Sequence, residues 1–167
     1  MADWERVFGD LVETRGQALV RYAYLLTGNG ADAADLVQEA LLRAFGRTTR
    51  GLTIDAAEAY VRRVVLTVYI DGRRRSGRWD RVRHLVADRG EADGPERAVV
   101  DGADLRTAMA TLSPRQRACV VLHYYEDLTV AQVAEQLGCG AGAVKRHLSD
   151  ARARLEPHLT DLSKEQR

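Results

Sequence analysis

No stretch of the 167 residues reaches the roughly 18 consecutive apolar positions that a membrane-spanning helix needs, so no membrane insertion is expected. The first ten residues, "MADWERVFGD", are acidic and hold no apolar signal core, which argues against secretion and for a cytoplasmic protein. Cysteine is scarce: Cys119 and Cys139 stand far apart in the chain, too few for a disulfide scaffold, and read as buried or incidental thiols. The four histidines, His84, His123, His147 and His158, show no pairing at helical spacing and no nearby cysteine at ligand spacing, so no metal site is expected. Convincing period-two alternation is also missing, which leaves little room for a sheet.

Apolar residues make up 46% and charged residues 29%, an ordinary globular balance, and the length suits one domain or two small ones. A net charge of +1 points to no particular partner. Its distribution is more telling. "GRRRSGRWDRVR", Gly72 to Arg83, holds six arginines against Asp80 alone. "HLVADRGEADGPER", His84 to Arg97, holds four acids against Arg89 and Arg97. A basic patch thus adjoins an acidic stretch containing glycine and proline, which reads as a linker.

Helical period runs through nearly everything else. Phe8, Leu11, Val12, Leu19, Tyr22, Ala23 and Leu26 share one stripe, and "TGNG" at 27–30 ends it, because glycine and asparagine take the left-handed turn at little cost. Asp32 then reads as an N-cap, and Leu36, Val37, Ala40, Leu41 and Ala44 as the next stripe. Residues 46–55 read as a loop. A third helix is expected from about Ala56, with Tyr60, Val61, Val64, Val65 and Val68 inward, ending near Asp71-Gly72. "RRVVLTVYI" within it has a strand-like composition, but its flanks continue the helical pattern. Beyond the linker, Pro95 suits a first helical turn, and Leu105, Ala108, Met109 and Leu112 keep helical spacing. "SPRQ" at 113–116 and "TVAQ" at 129–132 are capping boxes, with Ala118, Val121, Leu122 and Tyr125 as the core face between them. The expected fold is therefore all-α: two small helical domains, 1–83 and 98–160, joined by a flexible acidic linker at 84–97, with a tail at 161–167.

"LGCGAGAVKRHLSDARARL", Leu137 to Leu155, poses a choice between a phosphate cradle and a turn before a DNA-reading helix. The glycines fall at 138, 140 and 142, not at G-x-G-x-x-G, the preceding element is a helix, and no Gly-Lys-Ser/Thr follows. A helix-turn-helix fits better. Val130, Val133, Ala134 and Leu137 bury one helix, Gly138 turns the chain, and Val144, Leu148, Ala151 and Leu155 bury the second from about Ala141. Lys145, Arg146, Ser149 and Arg152 then face outward, placed for phosphates and base edges. Asp150 must turn from the phosphates or accept from a cytosine amino group. The plainer alternative is an αα-hairpin with a solvated basic face.

Arg62, Arg63, Thr67 and Asp71 are expected near one another, away from the valine stripe, with Arg73 and Arg74 just beyond and Trp79 following. Arginines interleaved with aromatics suit single-stranded nucleic acid, although a solvated linker explains the charge as well. Asp35 and Glu39 share a helix face, as paired carboxylates in acid–base or metal chemistry do. No Glu-x-x-His accompanies them, so a partner-facing acidic patch is preferred. Ser76, Ser113, Ser149 and Ser163 lie in basic, capping, helical and tail contexts, none a nucleophile elbow, so no enzyme is expected.

With these residues assembled, the chain resembles the extracytoplasmic-function (ECF) group of bacterial RNA polymerase sigma factors, in the sigma-70 family, over about residues 8–158. "ADAADLVQEALLRAF" at 31–45 looks like the region 2 helix that docks on core RNA polymerase, with Asp35, Gln38 and Glu39 matching its D-x-x-Q-E pattern. "AYVRRVVLTVYIDGRRR" at 59–75 is similar to the helix that melts the −10 promoter element, which places Arg62, Arg63, Thr67, Asp71, Arg73 and Arg74 at the −10 DNA. Residues 112–155 are similar to region 4, which places Lys145, Arg146, Ser149 and Arg152 at the −35 element. The resemblance implies an alternative sigma factor with no catalytic site and no cofactor, whose partners are core polymerase, promoter DNA and an anti-sigma factor. The chain departs from the family pattern at Thr67, where asparagine is common, in "GAGA" before the reading helix, and at His147 and Asp150, where arginines are common. At these positions its promoter preference is expected to differ from that of its relatives. A stand-alone helix-turn-helix regulator needs no acidic docking helix or strand-melting half, and a pure protein-interaction module predicts no salt-dependent DNA affinity.

Overall fold

The computed structural model describes residues 3–45, 51–83 and 100–165, with side chains described over 4–44, 51–72 and 105–158. The linker 84–97, with Pro95, and the side chains of Arg73, Arg74 and Trp79 lie outside these limits. Among the described residues every regular element is a helix. The chain divides into two units, Met1–Gly94 and Pro95–Arg167.

In the first unit, α1 (Asp3–Thr27), α2 (Gly30–Phe45) and α3 (Ile54–Arg83) pack pairwise against one another. Phe8, Leu11, Leu19, Tyr22 and Leu26 of α1 meet Ala33, Val37 and Ala40 of α2 and Val61, Val65 and Leu66 of α3, all buried. Full burial of each large aliphatic or aromatic side chain contributes about 1.5–3 kcal/mol. Val12 does not join them and is 46% exposed. It fits the periodic stripe, yet it sits at the stripe's edge, beside Leu11, which takes the inward position. Gly28 turns the chain after α1 with φ +73°. The cap of α2 is Asn29, whose Oδ1 accepts from the Asp32 N–H at 3.1 Å. Asp32 thus stands inside the first turn, not at the cap. Thr53 caps α3 from two residues earlier than expected, its Oγ1 accepting from the Ala56 N–H at 3.2 Å.

The helix α3 does not stop at Asp71-Gly72. It runs to Arg83, through the arginine run. An interior glycine costs a helix only about 1 kcal/mol, and arginine is a good helix former, so Gly72 interrupts nothing. A polar joint ties α3 to α1: Arg15 lies 3.7 Å from both Asp55 and Glu58, and Glu58 accepts from Arg62.

In the second unit, α4 (Val100–Ala110), α5 (Pro114–Val120) and α6 (Val130–Leu137) each pack on α7 (Ala141–Glu165). Met109, Leu112, Leu122, Val133, Val144 and Leu148 form the centre of its core. Leu105, read as a core residue, is 47% exposed. Both capping boxes form. Ser113 Oγ accepts from the Gln116 N–H at 3.2 Å while Gln116 Oε1 accepts from the Ser113 N–H at 3.0 Å. Thr129 and Gln132 repeat the exchange at 3.2 and 2.9 Å. Each cap contributes about 1 kcal/mol.

After α5 the chain widens into one π-helical turn, Val121–Tyr125, closed by the Glu126 N–H donating to the Val121 carbonyl at 3.1 Å. This turn corrects the reading of Tyr125 as a core residue. An i→i+5 turn holds more residues than a 3.6-residue one, so the inward stripe ends at Leu122, and Tyr124 and Tyr125 emerge at 54% and 47% exposure. The backbone of α7 continues past Pro157 to Glu165, through most of the residues expected as a tail.

Cys119 and Cys139 are free thiols. Burial pushes the Cys119 thiol up to about 11, nearby Cys139 adds to the rise and Arg115 opposes it.

Candidate nucleic-acid interface

The turn between α6 and α7 is built by one glycine. Gly138 takes φ +62°, ψ +40°, the left-handed region that a side chain disfavours, and the Cys139 N–H then donates to the Ala134 carbonyl at 3.0 Å. Gly140 and Gly142 do not prevent the next helix from starting. The Gly140 carbonyl accepts from the Ala143 and Val144 N–H groups at 3.0 and 3.2 Å, closing the first turn. Val144, Leu148 and Ala151 face inward, so their neighbours Lys145, Arg146, Ser149, Asp150 and Arg152 are exposed. Three cationic side chains and a hydroxyl on one helix side give donors for phosphates and base edges.

Arg152 has a tertiary partner that the sequence pattern did not reveal. Its Nε and Nη2 donate to the Tyr124 hydroxyl at 2.9 and 2.6 Å, and the guanidinium carbon lies 5.9 Å from the ring centroid. No 3.6-residue periodicity could have placed Tyr124 there, because the π-helical turn shifts it.

On α3, Arg63, Thr67 and Asp71 are exposed one turn apart, and the Thr67 hydroxyl donates to the Arg63 carbonyl at 2.9 Å. Arg62 does not share that face. Its Nε and Nη2 donate to Glu58 Oε1 at 3.1 and 2.8 Å, and its guanidinium carbon lies 5.1 Å from the Tyr22 ring centroid. One residue turns a helix by about 100°, so Arg62 points to α1 while Arg63 points out. The Glu58–Arg62 spacing of four residues was the signal that could have found this pair. Arg73 and Arg74 follow on the helical backbone of α3, their side chains outside the described ones.

On α2, Asp35, Gln38 and Glu39 are all exposed. Asp35 and Glu39 line a shallow groove with Leu36, Val68, Tyr69 and Gly72, where α2 meets α3. Glu39 also accepts from Arg43 at 2.6 Å. An acidic rim around apolar side chains suits a basic protein surface better than DNA, whose phosphates it repels. Among the described residues no helix is long and apolar enough to cross a membrane.

Comparisons with known proteins agree with this arrangement. Residues 11–79 match the family model described as sigma-70 region 2, and residues 103–155 match sigma-70 region 4. The chain is 35% identical to the RNA polymerase sigma-E factor of Streptomyces avermitilis, over 91% of this chain and 84% of that protein. It is 34% identical to the ECF RNA polymerase sigma factor SigL of Mycobacterium tuberculosis, over 91% of this chain and 88% of that protein. Among solved structures it is similar to the sigma factor RpoE of Bartonella quintana, crystallised in complex with the anti-sigma factor NepR, with a TM-score of 0.69 and 25% identity over 92% of this chain and 96% of that one. The chain belongs to the sigma-70 family of RNA polymerase sigma factors, in its ECF group.

Proposed function

We propose that the chain acts as an alternative sigma factor whose first unit binds core RNA polymerase and opens the −10 element while its second unit reads the −35 element. The observation that carries this reading is the presence, in one chain, of an acidic docking face on α2, a basic α3 and an outward cationic face on α7, in the order of regions 2 and 4. Asp35, Gln38 and Glu39 meet the polymerase. Arg63, Thr67, Asp71, Arg73 and Arg74 meet the −10 DNA, and Arg62 supports that face from behind through Glu58 and Tyr22. Thr67 offers a hydroxyl in place of the family's common amide, so a −10 base held there has fewer hydrogen bonds available. Capturing a base from the opened strand costs stacking energy, which contacts in the complex offset. Lys145, Arg146, Ser149 and Arg152 meet the −35 DNA, and Asp150 limits which bases the helix accepts. No catalytic step is assigned to the chain.

An anti-sigma factor is a further proposed partner, supported by the complex in which the similar Bartonella sigma factor was crystallised. A chain that acts with core polymerase and promoter DNA would do so in the cytoplasm, which is the proposed location.

Arg146 supplies the test of residue roles. Holoenzyme carrying Arg146→Ala is expected to lose about 1–3 kcal/mol of discrimination at one −35 base pair, measured by binding to promoters varied one position at a time. Equal weakening on every sequence assigns Arg146 to a phosphate instead.

A further inference from the structure

Tyr124 lies within the region 4-like stretch but has no role in the sequence reading, and the structure gives it one. It stands on the π-helical turn, 54% exposed. Its neighbour His123 packs edge-on against it, ring centroids 4.8 Å apart, and His123 Nδ1 is anchored to the Leu128 carbonyl at 2.7 Å. A carbonyl only accepts, so Nδ1 carries the proton and the ring is held in one orientation. The ring of Tyr124 is thereby propped beside α7, where its hydroxyl takes both hydrogen bonds from Arg152.

A tyrosine hydroxyl has two acceptor lone pairs and one proton to donate. Arg152 occupies the acceptor side, which leaves the O–H proton directed elsewhere. The guanidinium spends one Nε and one Nη2 hydrogen on Tyr124 and keeps the others, including both on Nη1. Among the described residues no carboxylate forms an ion pair with Arg152. What the two side chains present together is a set of N–H and O–H donors with an uncompensated positive charge, and such a set selects an anion.

Position says which anion. Arg152 lies eleven residues after Ala141, about 16 Å along the helix at 1.5 Å per residue. Base edges are read by the first residues of such a helix, and the major groove is only about 12 Å wide. A side chain that far along has passed the bases and reached the groove's rim, where the phosphates stand.

We propose that Tyr124 and Arg152 form a composite site for one backbone phosphate of the −35 DNA, Arg152 supplying charge and Nη1 donors, Tyr124 supplying its O–H and holding the guanidinium in register. The site rests on the assignment of α7 as the −35 reading helix.

Holoenzyme assembled from core polymerase and the full chain tests it on promoter duplexes in which single −35 phosphates are replaced by uncharged methylphosphonates. In the parent, one replacement near the end of the element is expected to weaken binding about tenfold. The same replacement should then have little further effect with Arg152→Ala, and a reduced one with Tyr124→Phe, which keeps the ring and removes the hydroxyl. Both variants should weaken binding evenly over −35 sequence variants, and Arg152→Ala should lower the log–log salt slope by about 0.9. A purely structural tyrosine would leave the phosphate pattern of the variants like the parent's, and that outcome overturns the site, as does a loss confined to one base pair. If the parent itself shows no dependence on the −35 sequence, the assignment of the reading helix falls too; if it shows that dependence and the variants keep the parent's phosphate pattern, the Tyr124–Arg152 site alone falls.

Discussion

Leu122→Ala is expected to destabilise the second unit by about 2–5 kcal/mol, the usual cost of emptying a packed leucine site. Leu122 is 1% exposed, and it is the last inward side chain before the π-helical turn lifts Tyr124 and Tyr125 out. The backbone there already departs from α geometry, and the turn is tied down on the far side by the Leu128 N–H donating to the Leu122 carbonyl at 3.1 Å. That bond restricts any collapse into the cavity, which keeps the cost in the upper part of the range. Domains of this size hold only about 4–11 kcal/mol in total. Calorimetry of the whole chain should therefore show one transition lowered by roughly 10–30 °C while a second, from the first unit, stays in place. The functional consequence is specific. With its support loosened, α7 should no longer hold its outward face in register, so under the proposed roles −35 dependence is lost while association with core polymerase through α2 persists. A single transition that shifts as a whole, or an unchanged one, contradicts this account of the core.

Reversing the acidic face of α2 with Asp35→Arg and Glu39→Arg should abolish holoenzyme formation without unfolding the first unit. Both side chains are exposed, and substitutions at such positions usually change stability by no more than about 0.5 kcal/mol. Glu39 gives up its contact with Arg43 at 2.6 Å, an exposed i,i+4 pair of the kind that contributes about 0.3–0.5 kcal/mol. Binding should be affected far more if this is the docking face, because two charges on it change sign and would meet a complementary basic surface with like charge, which costs several kcal/mol. Titration against core polymerase should show at least about a hundredfold weakening, or roughly 2.7 kcal/mol. The affinity of the parent should fall steeply with salt. Were the acidic face merely solvated, the double variant would co-elute with core polymerase as the parent does.

The local chemistry of the second unit was largely legible in the sequence. "SPRQ" and "TVAQ" announce helix starts because each cap needs only two residues three apart, and both form as read. The turn at Gly138 and the start at Ala141 were likewise set by local backbone preference. The misreadings share a different cause. Val12 and Leu105 obey a helical period, but a period identifies a stripe and not its edge, and tertiary neighbours decide which edge residue is covered. Gly72 resembled a stop, yet glycine terminates a helix only where the chain needs a left-handed residue, and α3 needs none there. Asn29 and Asp32 are both good caps, and three residues separate the right one from the wrong one.

The candidate site divides in the same way. Lys145, Arg146, Ser149 and Arg152 follow from inward Val144, Leu148 and Ala151 by simple rotation, and the structure exposes all four. Arg62 was misplaced because its partners, Glu58 and the Tyr22 ring, act from behind the face it was grouped with. Tyr124 was invisible because a π-helical turn has no sequence period to detect. Contacts made across distant segments, here 28 residues apart, depend on packing that a linear pattern does not contain.

The most direct measurement is run-off transcription from a pool of genomic fragments by purified core polymerase, with and without the chain. Sigma-factor activity predicts transcripts that start at discrete promoters only when the chain is present, from fragments sharing one −35 and one −10 element at constant spacing. A pool transcribed identically in both reactions, together with failure of the chain to co-elute with core polymerase, would contradict it.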